Sequence, residues 1–373
     1  MSKAAELANL IGNINAGGGG VNRNVIINGN MSVAQRRSPD TGVGDADGYF
    51  TCDRWKFAQA TNAGRFTQSQ DSSAPSGFAN SLKLACTTTD TSIGADEAAL
   101  IQQLIEGQNL QAFAKGTSDA KPFAVSFYVK GNASATYTAE LFDNDNSRSN
   151  GQTFNVTTDW TRVELTYPAD TTGAFDNDVN ASLYFNIWLH AGSTYTGGTF
   201  TNGTWTAVSN ANVRVGDGTS FFDSTDRTLF ITGVQIEVGQ NPTEFEHEPF
   251  ERTLAKCQRY LVTLDMTTNL TGDTYGKFFV GPIISSTIGR PQLNFPVHMR
   301  GKPSLVTSSA STLALNHGSN SNTALSSLSL NQHSNIHTGT IEASVSSGLS
   351  AGDSCCLSSN NNQTSFVRFD AEL

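Results

Sequence analysis

The sequence predicts an all-β chain in two domains, with one short helix at its start and another between the domains. Three observations carry this reading. Short runs of alternating apolar and polar residues recur along the chain, separated by Asp, Asn, Gly and Pro. Only 15% of residues are charged and 37% hydrophobic, so Ser, Thr, Asn and Gly supply a balance that suits sheets and turns rather than helical bundles. The stretch 231–261, ITGVQIEVGQNPTEFEHEPFERTLAKCQRYL, changes its period: strand alternation, then the breakers Gly239, Pro242 and Pro249, then helical spacing.

The first element is residues 3–14, KAAELANLIGNI, which place Leu7, Leu10, Ile11 and Ile14 mostly on one helical face. A helix under two heptads is marginal alone in water, so it needs a larger body or identical copies to pack against. The run AGGGG at 16–20 follows, a flexible linker by composition. Together they read as an anchor on a tether; a disordered tail is the alternative.

From residue 22, short strands are expected at 25–27 and 31–34 around an Asn28-Gly29-Asn30 turn, and at 50–57. Trp55 is expected in the core, with Asp53 and Arg54 forming an ion-paired corner. Further strands are expected at 123–129, 136–142, 160–167, 183–190, 202–207, 212–215 and 228–238. Helical spacing occurs in this half only at 95–105 and 110–115. Many short strands at such intervals mean a sandwich or jelly roll.

Beyond Pro249, Phe250, Leu254 and Cys257 share one helical face, which a domain or another copy must cover. The second β-domain then shows strand patterns at 278–285, 292–299, 304–307, 340–345 and 364–373. Residues 303–352 hold a single charged residue, Glu342, and the run STLALNHGSN at 311–320 is echoed by SSLSLNQHSN at 326–335. The echo reads as a hairpin-like duplication rather than a solenoid. Such a neutral Ser/Asn-rich surface can face identical copies or contact a neutral glycan.

Several function classes are excluded. Against 33 acidic residues stand 23 basic ones without a basic stripe, which argues against a nucleic-acid partner. No apolar run approaches the roughly 20 residues that span a bilayer, so no membrane insertion is expected. MSKAAELANL shows no secretory leader, so synthesis in a cytoplasm is expected. Cys52, Cys86, Cys257, Cys355 and Cys356 form no metal or disulfide pattern and read as buried free thiols. His333 and His337 are four apart but lack a helical pattern and read as surface residues, so no metal site is expected.

The oxygen-rich loops Asp143/Asp145/Asn146 and Asp176/Asn177/Asp178 could hold a structural calcium, but neither has EF-hand spacing, and turn residues explain them. Glu244, Glu246, Glu248 and Glu251 read as a solvated rim rather than paired catalytic carboxylates. No nucleophile-elbow, zincin or P-loop pattern is present, so no enzymatic activity and no cofactor are expected. Aromatic rings matter more, because sugar C–H faces stack on them. Tyr195 and Trp205 flank the loop 196–203 and are the candidate glycan-binding residues; Trp188, within an apolar strand, reads as core.

The runs NVIINGNMSVAQR (24–36), DRW (53–55), ALIQQLIEG (99–107), KPFAVSFYVKG (121–131), the hinge 231–261, PVHMRGKPSL (296–305) and FVRFDAEL (366–373) resemble, in this order, the bacteriophage tail-fibre and virion appendage proteins. The resemblance implies a jelly-roll, carbohydrate-binding-like module followed by a C-terminal β-sandwich-like domain. The domains would then be 1–21 (anchor helix and linker), 22–249 (jelly roll) and 250–373 (connector helix and β-domain). It also implies a virion tail or capsid appendage made in the bacterial cytoplasm. Expected partners are its own copies as a homotrimer, other virion proteins through the N-terminus, and host-surface glycan. A capsid fibre or decoration protein and a polysaccharide depolymerase are the alternatives.

Overall fold

The computed structural model describes residues 2–15, 22–36, 38–209, 212–216, 218–265, 276–318 and 321–373. The expected glycine linker at 16–20, and the side chains of Leu10 and Ile14, lie outside the described residues. The chain is mostly β and divides into two compact units, Met1–Thr253 with Leu373, and Leu254–Glu372.

The first unit opens with helix α1, Lys3–Asn15, on which Leu7 and Ile11 are exposed. Its strands are β1 (Asp40–Val43), β2 (Gly48–Tyr49), β3 (Lys56–Ala60), β4 (Arg65–Asp71), β5 (Ser81–Thr88), β6 (Ala98–Glu106) and β7 (Phe123–Gly131). They continue as β8 (Ala135–Asp143), β9 (Arg148–Val156), β10 (Thr161–Tyr167) and β11 (Ala181–Ala191). After the short helix α2 (Ser193–Thr196) come β12 (Thr199–Phe200), β13 (Thr206–Ala207), β14 (Asn212–Val213) and β15 (Thr228–Val238). Two antiparallel sheets form a jelly-roll sandwich, in the orders β1-β4-β5-β15-β7-β10 and β13-β9-β8-β11-β6-β3-β2. Their inner faces meet in one core that includes Phe57, Phe66, Ile101, Phe127, Leu141, Phe185 and Ile236. On β8, Tyr137, Ala139 and Leu141 join this core; on β11, Leu183, Phe185 and Ile187 do. The intervening residues face outward, as the two-residue strand period requires.

The expected strands at 123–129, 136–142, 160–167, 183–190 and 228–238 are present with small shifts at their ends. Residues 95–105, expected as helix, instead enter the strand β6 at 98–106. Every residue of β6 is buried, so apolar residues occupy both faces and the alternation that marks a half-buried strand is lost. Of 110–115, only a 3-10 turn at Gln111–Phe113 is helical. Only Thr206–Ala207 of the expected 202–207 strand pairs.

The segment 22–36 forms no named strand. Its backbone is held by isolated main-chain bonds, of Val25 to the Ile236 carbonyl and of Val234 to the Gly29 carbonyl, and by side chains. Asn28 accepts from the Val33 N–H at 2.9 Å and donates to the carbonyls of Val33 and Asp53. Gln103 pairs in both directions with the backbone of Ile27. Trp55 Nε1 donates to the Asn28 carbonyl, and Asp53 accepts from the N–H and amide of Gln35. Asn28 adopts a left-handed φ of 58°, which Asn tolerates. Gly29 lies where a Cβ would stand 2.1 Å from the Val234 carbonyl oxygen, so only glycine permits this approach. At the expected corner Trp55 is fully buried, as anticipated, while Asp53 holds Gln35 and Arg54 donates to the Leu104 carbonyl.

The end of this unit is a structured segment. Glu237 on β15 is buried and meets the Arg23 guanidinium at 3.1 Å and the Thr243 hydroxyl at 2.7 Å. Gln235 accepts the Glu246 N–H. Glu246 in turn accepts the N–H groups of Asn22, Arg23 and Asn24 at 2.6, 2.9 and 3.1 Å. Glu246 is thus no solvated rim residue, because three backbone donors converge on it. Helix α3, Phe250–Gln258, follows as expected; it contains the division between the units. On it Cys257 is buried, Leu254 half-buried and Phe250 exposed.

The second unit holds β16 (Leu261–Asp265), β17 (Lys277–Pro282), β18 (Ile288–Gly289), β19 (Gln292–Asn294), β20 (Ser304–Thr307) and β21 (Leu313–His317). Then come β22 (Ser321–Ala324), β23 (Ser327–Leu330), β24 (Thr338–Ser344), β25 (Ser354–Ser359) and β26 (Phe366–Asp370). They form small antiparallel sheets, β16-β26-β20, β17-β25-β21-β22 and β18-β24-β19 with β23 on β24. The core includes Phe279, Phe295, Leu315, Ile341, Leu357 and Phe369. Each copy of the sequence echo contributes the first strand of an antiparallel pair, β21 with β22 and β23 with β24. Glu342 is held by Arg290 at 3.1 Å and by Asn331. All five cysteines are buried thiols outside any disulfide. Burial, and then the neighbouring Cys356, pushes the Cys355 thiol up to about 11, so it stays protonated near neutral pH.

Removing the Glu246 carboxylate frees three N–H groups at once. Glu246→Ala should cost about 1.5–3 kcal/mol in urea denaturation and raise amide exchange first at residues 22–24. Exchange unchanged there would contradict the clamp.

Candidate functional site

The outer face of the seven-stranded sheet carries the feature with binding chemistry. Strand β11 reads ASLYFNIWLHA, so Tyr184, Asn186 and Trp188 point away from the core that takes Leu183, Phe185 and Ile187. Ala58 and Ala60 of β3, Ala98 and Leu100 of β6, Phe142 of β8, Tyr195 of α2 and Arg214 surround them. The result is an open groove of about 210 Å³.

Its polar floor is built on one carboxylate. Glu140 is fully buried and accepts from Asn186 Nδ2 at 2.9 Å, Trp188 Nε1 at 2.8 Å and Arg214 Nε at 2.6 Å. Arg214 Nη2 adds a fourth donor at 2.9 Å, and Gln102 extends the chain by donating to Asn186 Oδ1 at 3.0 Å. Four donors occupy the acceptor sites of the carboxylate, and the Arg214 charge cancels its own. The guanidinium lies over the rings of Phe142 and Trp188, 4.5 and 5.2 Å from their centroids. Tyr184 packs edge-on to Phe142, and Tyr195 covers Trp188. Burial first, and then the nearby Asp145 carboxylate, raises the Tyr184 phenol, which keeps it a hydrogen-bond donor at neutral pH. The groove therefore offers partly exposed rings and a neutralised arginine above a floor of buried, mutually bonded amides.

Of the two expected glycan residues, Tyr195 lies at this groove, half-buried. Trp205 does not. It is 9% exposed, belongs to the main core, and donates its Nε1 to the Pro168 carbonyl at 2.8 Å. Its ring is committed to another task, walling a buried ammonium. The Lys115 side chain has no solvent exposure, and its Nζ lies 2.5 Å from Asp143 Oδ2, 3.1 Å from Asp170 Oδ2 and 2.8 Å from each of the Thr172 and Gly173 carbonyls. The rings of Trp205 and Phe175 face it at 5.4 and 5.3 Å. Asp143, flagged in the sequence for its oxygen-rich loop, thus spends one oxygen on the chain's own cation and the other on the Asn146 N–H. Burial acts to raise Asp170, but hydrogen bonds from Arg148, the Thr172 N–H and Lys115 hold its carboxyl below the usual value.

His333 and His337 are exposed, as expected, and His337 lies against the His298 ring. Sequence reasoning missed Phe142, Tyr184, Asn186, Gln102 and Arg214; Trp188 is buried, as expected, but in a small second cluster with Ala98, Leu100 and Val215 on the outer face of the sheet. The alternation within LYFNIWLH contained the signal for Tyr184, Asn186 and Trp188. Nothing local marks the others: strand pairing brings in Gln102 and Phe142, and Arg214 arrives from outside the sheet.

No protein-family model and no curated protein matches the sequence. Among solved structures, a family 4 carbohydrate-binding module matches over 57% of this chain and 97% of its own, at 13% identity and a TM-score of 0.30. A family 11 carbohydrate-binding module from Clostridium thermocellum, in complex with a β-1,3-1,4-mixed-linked tetrasaccharide, matches over 57% and 99%, at 12% identity and 0.27. The enzymatically active domain of bacteriophage CBA120 tailspike protein 4 matches over 58% of this chain and 21% of its own, at 14% identity and 0.29. Likeness this distant says nothing about ligand or role; the sandwich is established by its own strand pairing.

Lys115→Met should destabilise the first unit by about 3–5 kcal/mol in urea denaturation, because two buried carboxylates lose their shared cation. Pairing it with Asp143→Asn should recover part of the loss. Asp170 contributes in full above the ordinary carboxylate range, and this contribution is lost as pH falls through its lowered value. The stability of Asp170→Asn should accordingly depend less on pH below about 4. Equal acid sensitivity in both proteins would contradict the assignment.

Proposed function

We propose that the first unit binds a neutral glycan in the groove of its seven-stranded sheet, and that the chain is a non-enzymatic virion appendage using this groove to attach to a host surface. The carrying observation is the groove itself. The partly exposed rings of Phe142, Tyr184 and Tyr195 suit the C–H faces of sugars, while the Tyr184 hydroxyl suits a sugar hydroxyl; Gln102 and Asn186, buried and bonded to each other, hold the floor beneath them. The pairing of Glu140 with Arg214 leaves no net charge to select an anionic chain. The virion reading is supported by the ordered resemblance to tail-fibre proteins. A homotrimer, joined to other virion proteins through α1, would add avidity to a shallow groove whose single contacts are weak.

Retention on purified host polysaccharide at high surface density tests the binding reading. Tyr184→Ala and Tyr195→Ala should each weaken it by about three- to tenfold, the value of one aromatic contact. No retention of the wild-type chain would leave a purely structural fibre; release of new reducing ends would make it a depolymerase. Deleting residues 2–15 should leave a soluble, folded chain that no longer enters particles. Normal incorporation of that variant would remove α1 as the anchor.

A further inference from the structure

We propose that Asp90, Glu97 and His190 form a binding site for a first-row divalent metal ion, separate from the groove and from the Lys115 cluster. One ligand atom from each residue lies within 4.8 Å of the other two. The His190 side chain has no solvent exposure, and Asp90 is 6% exposed. His190 Nδ1 is engaged by the Ser220 hydroxyl at 2.8 Å, which fixes the ring and leaves Nε2 facing Glu97 Oε2 at 3.1 Å. An outer hydrogen bond of this kind is what orients a metal-bound imidazole.

The charge balance is the second argument. The Asp90 carboxylate accepts only two long bonds, from the N–H groups of Ala63 and Ser92, both 3.3 Å. Among the described residues no Lys or Arg pairs with Asp90 or Glu97; the one partner that can carry positive charge is His190. A buried carboxylate without a cation is costly, and a divalent ion would remove that cost for both acids together. Two ligands about 2.1 Å from one ion sit at most about 4.2 Å apart, so any pair still beyond that spacing closes up as the ion binds. Glu97, whose side chain keeps some solvent exposure, can supply this movement.

One imidazole nitrogen with two carboxylate oxygens suits Zn²⁺ or Mn²⁺, whereas calcium prefers oxygen ligands throughout. The three residues come from separate segments. Asp90 follows β5 and donates its N–H to the Phe222 carbonyl. Glu97 precedes β6, and its carbonyl receives the Gly192 N–H at 2.7 Å. His190 follows an irregularity in β11, where the register shifts between Trp188 and His190; such bulges re-aim side chains. An ion here would join these segments beside the base of α2.

The test is equilibrium dialysis of the chelator-treated full chain against Zn²⁺ and, in parallel, Mn²⁺, with bound metal quantified by mass spectrometry. The expected result is saturable binding of one ion per chain, weakened at least about tenfold by Glu97→Gln and by Asp90→Asn. Both substitutions conserve shape, and circular dichroism of the metal-free variants establishes that they fold. His337→Ala should leave the stoichiometry intact, since the His298–His337 pair is the other imidazole cluster able to take the probe. The proposal is overturned if neither ion binds saturably, if both carboxylate variants bind like the wild type, or if His337→Ala abolishes binding.

Discussion

The first unit is organised by the need to satisfy carboxylates that its sheets carry out of solvent. Glu140 shows the constraint most directly. It sits fully buried at the middle of β8, and its partners arrive from β11 and from Arg214. An unpaired carboxylate there would cost several kcal/mol, so folding is committed to bringing those segments together. The groove follows from that commitment. Asn186, Trp188 and Arg214 are all fixed by the same two oxygens, and Tyr184, Tyr195 and Phe142 pack against the side chains so fixed. A rigid floor lowers the ordering cost of binding, which matters for a shallow site.

The same device recurs at two further places, each time tying together segments distant in sequence. Asp143 and Asp170 hold Lys115, and with it the 168–175 loop and Trp205. Glu237 holds Arg23, while Glu246 takes the adjoining backbone N–H groups, so the chain at 22–24 is sewn to the connector at 243–246. The connector is ordered for this reason, despite the prolines and glycine that mark it as a break. The oxygen-rich loop at 143–146, which suggests a cation in the sequence, does receive one at Asp143, but it is an ammonium supplied by the chain.

What could be read from the sequence follows how each element is buried. Strands β7, β8, β10, β11 and β15 keep a recognisable alternation, and all were legible. Strand β6 is buried on both faces, so its apolar residues lost the two-residue period and suggested a helix. The 22–36 segment has strand-like composition, but amide side chains replace ladder bonds there, which periodicity cannot anticipate. Trp205 flanks a polar Gly/Thr loop, a context that suggests exposure; only the tertiary position of Lys115 explains why it is buried. Tyr195 was legible as a ring beside a flexible loop. The rest of the groove was not: alternation puts Tyr184, Asn186 and Trp188 on one face, but Ala58, Leu100 and Phe142 join them only through strand register, and Arg214 arrives from outside the sheet.

These buried carboxylates also give meaning to the place where the pattern breaks. Glu140, Asp143, Asp170 and Glu237 each meet an Arg or Lys from this chain. Asp90 and Glu97 face a single imidazole instead, at a bulged strand end and beneath the loop that carries Tyr195. Those four carboxylates take their cations from the chain at 2.5–3.1 Å, whereas among the described residues this cluster has only the imidazole. A lysine in that position would close the balance permanently, as Lys115 does in its cluster. An imidazole with two carboxylates leaves it to be closed by the proposed ion from solution. The loop bearing Tyr195 is then the part of the groove whose support depends on the medium, while the Glu140 floor beneath it does not.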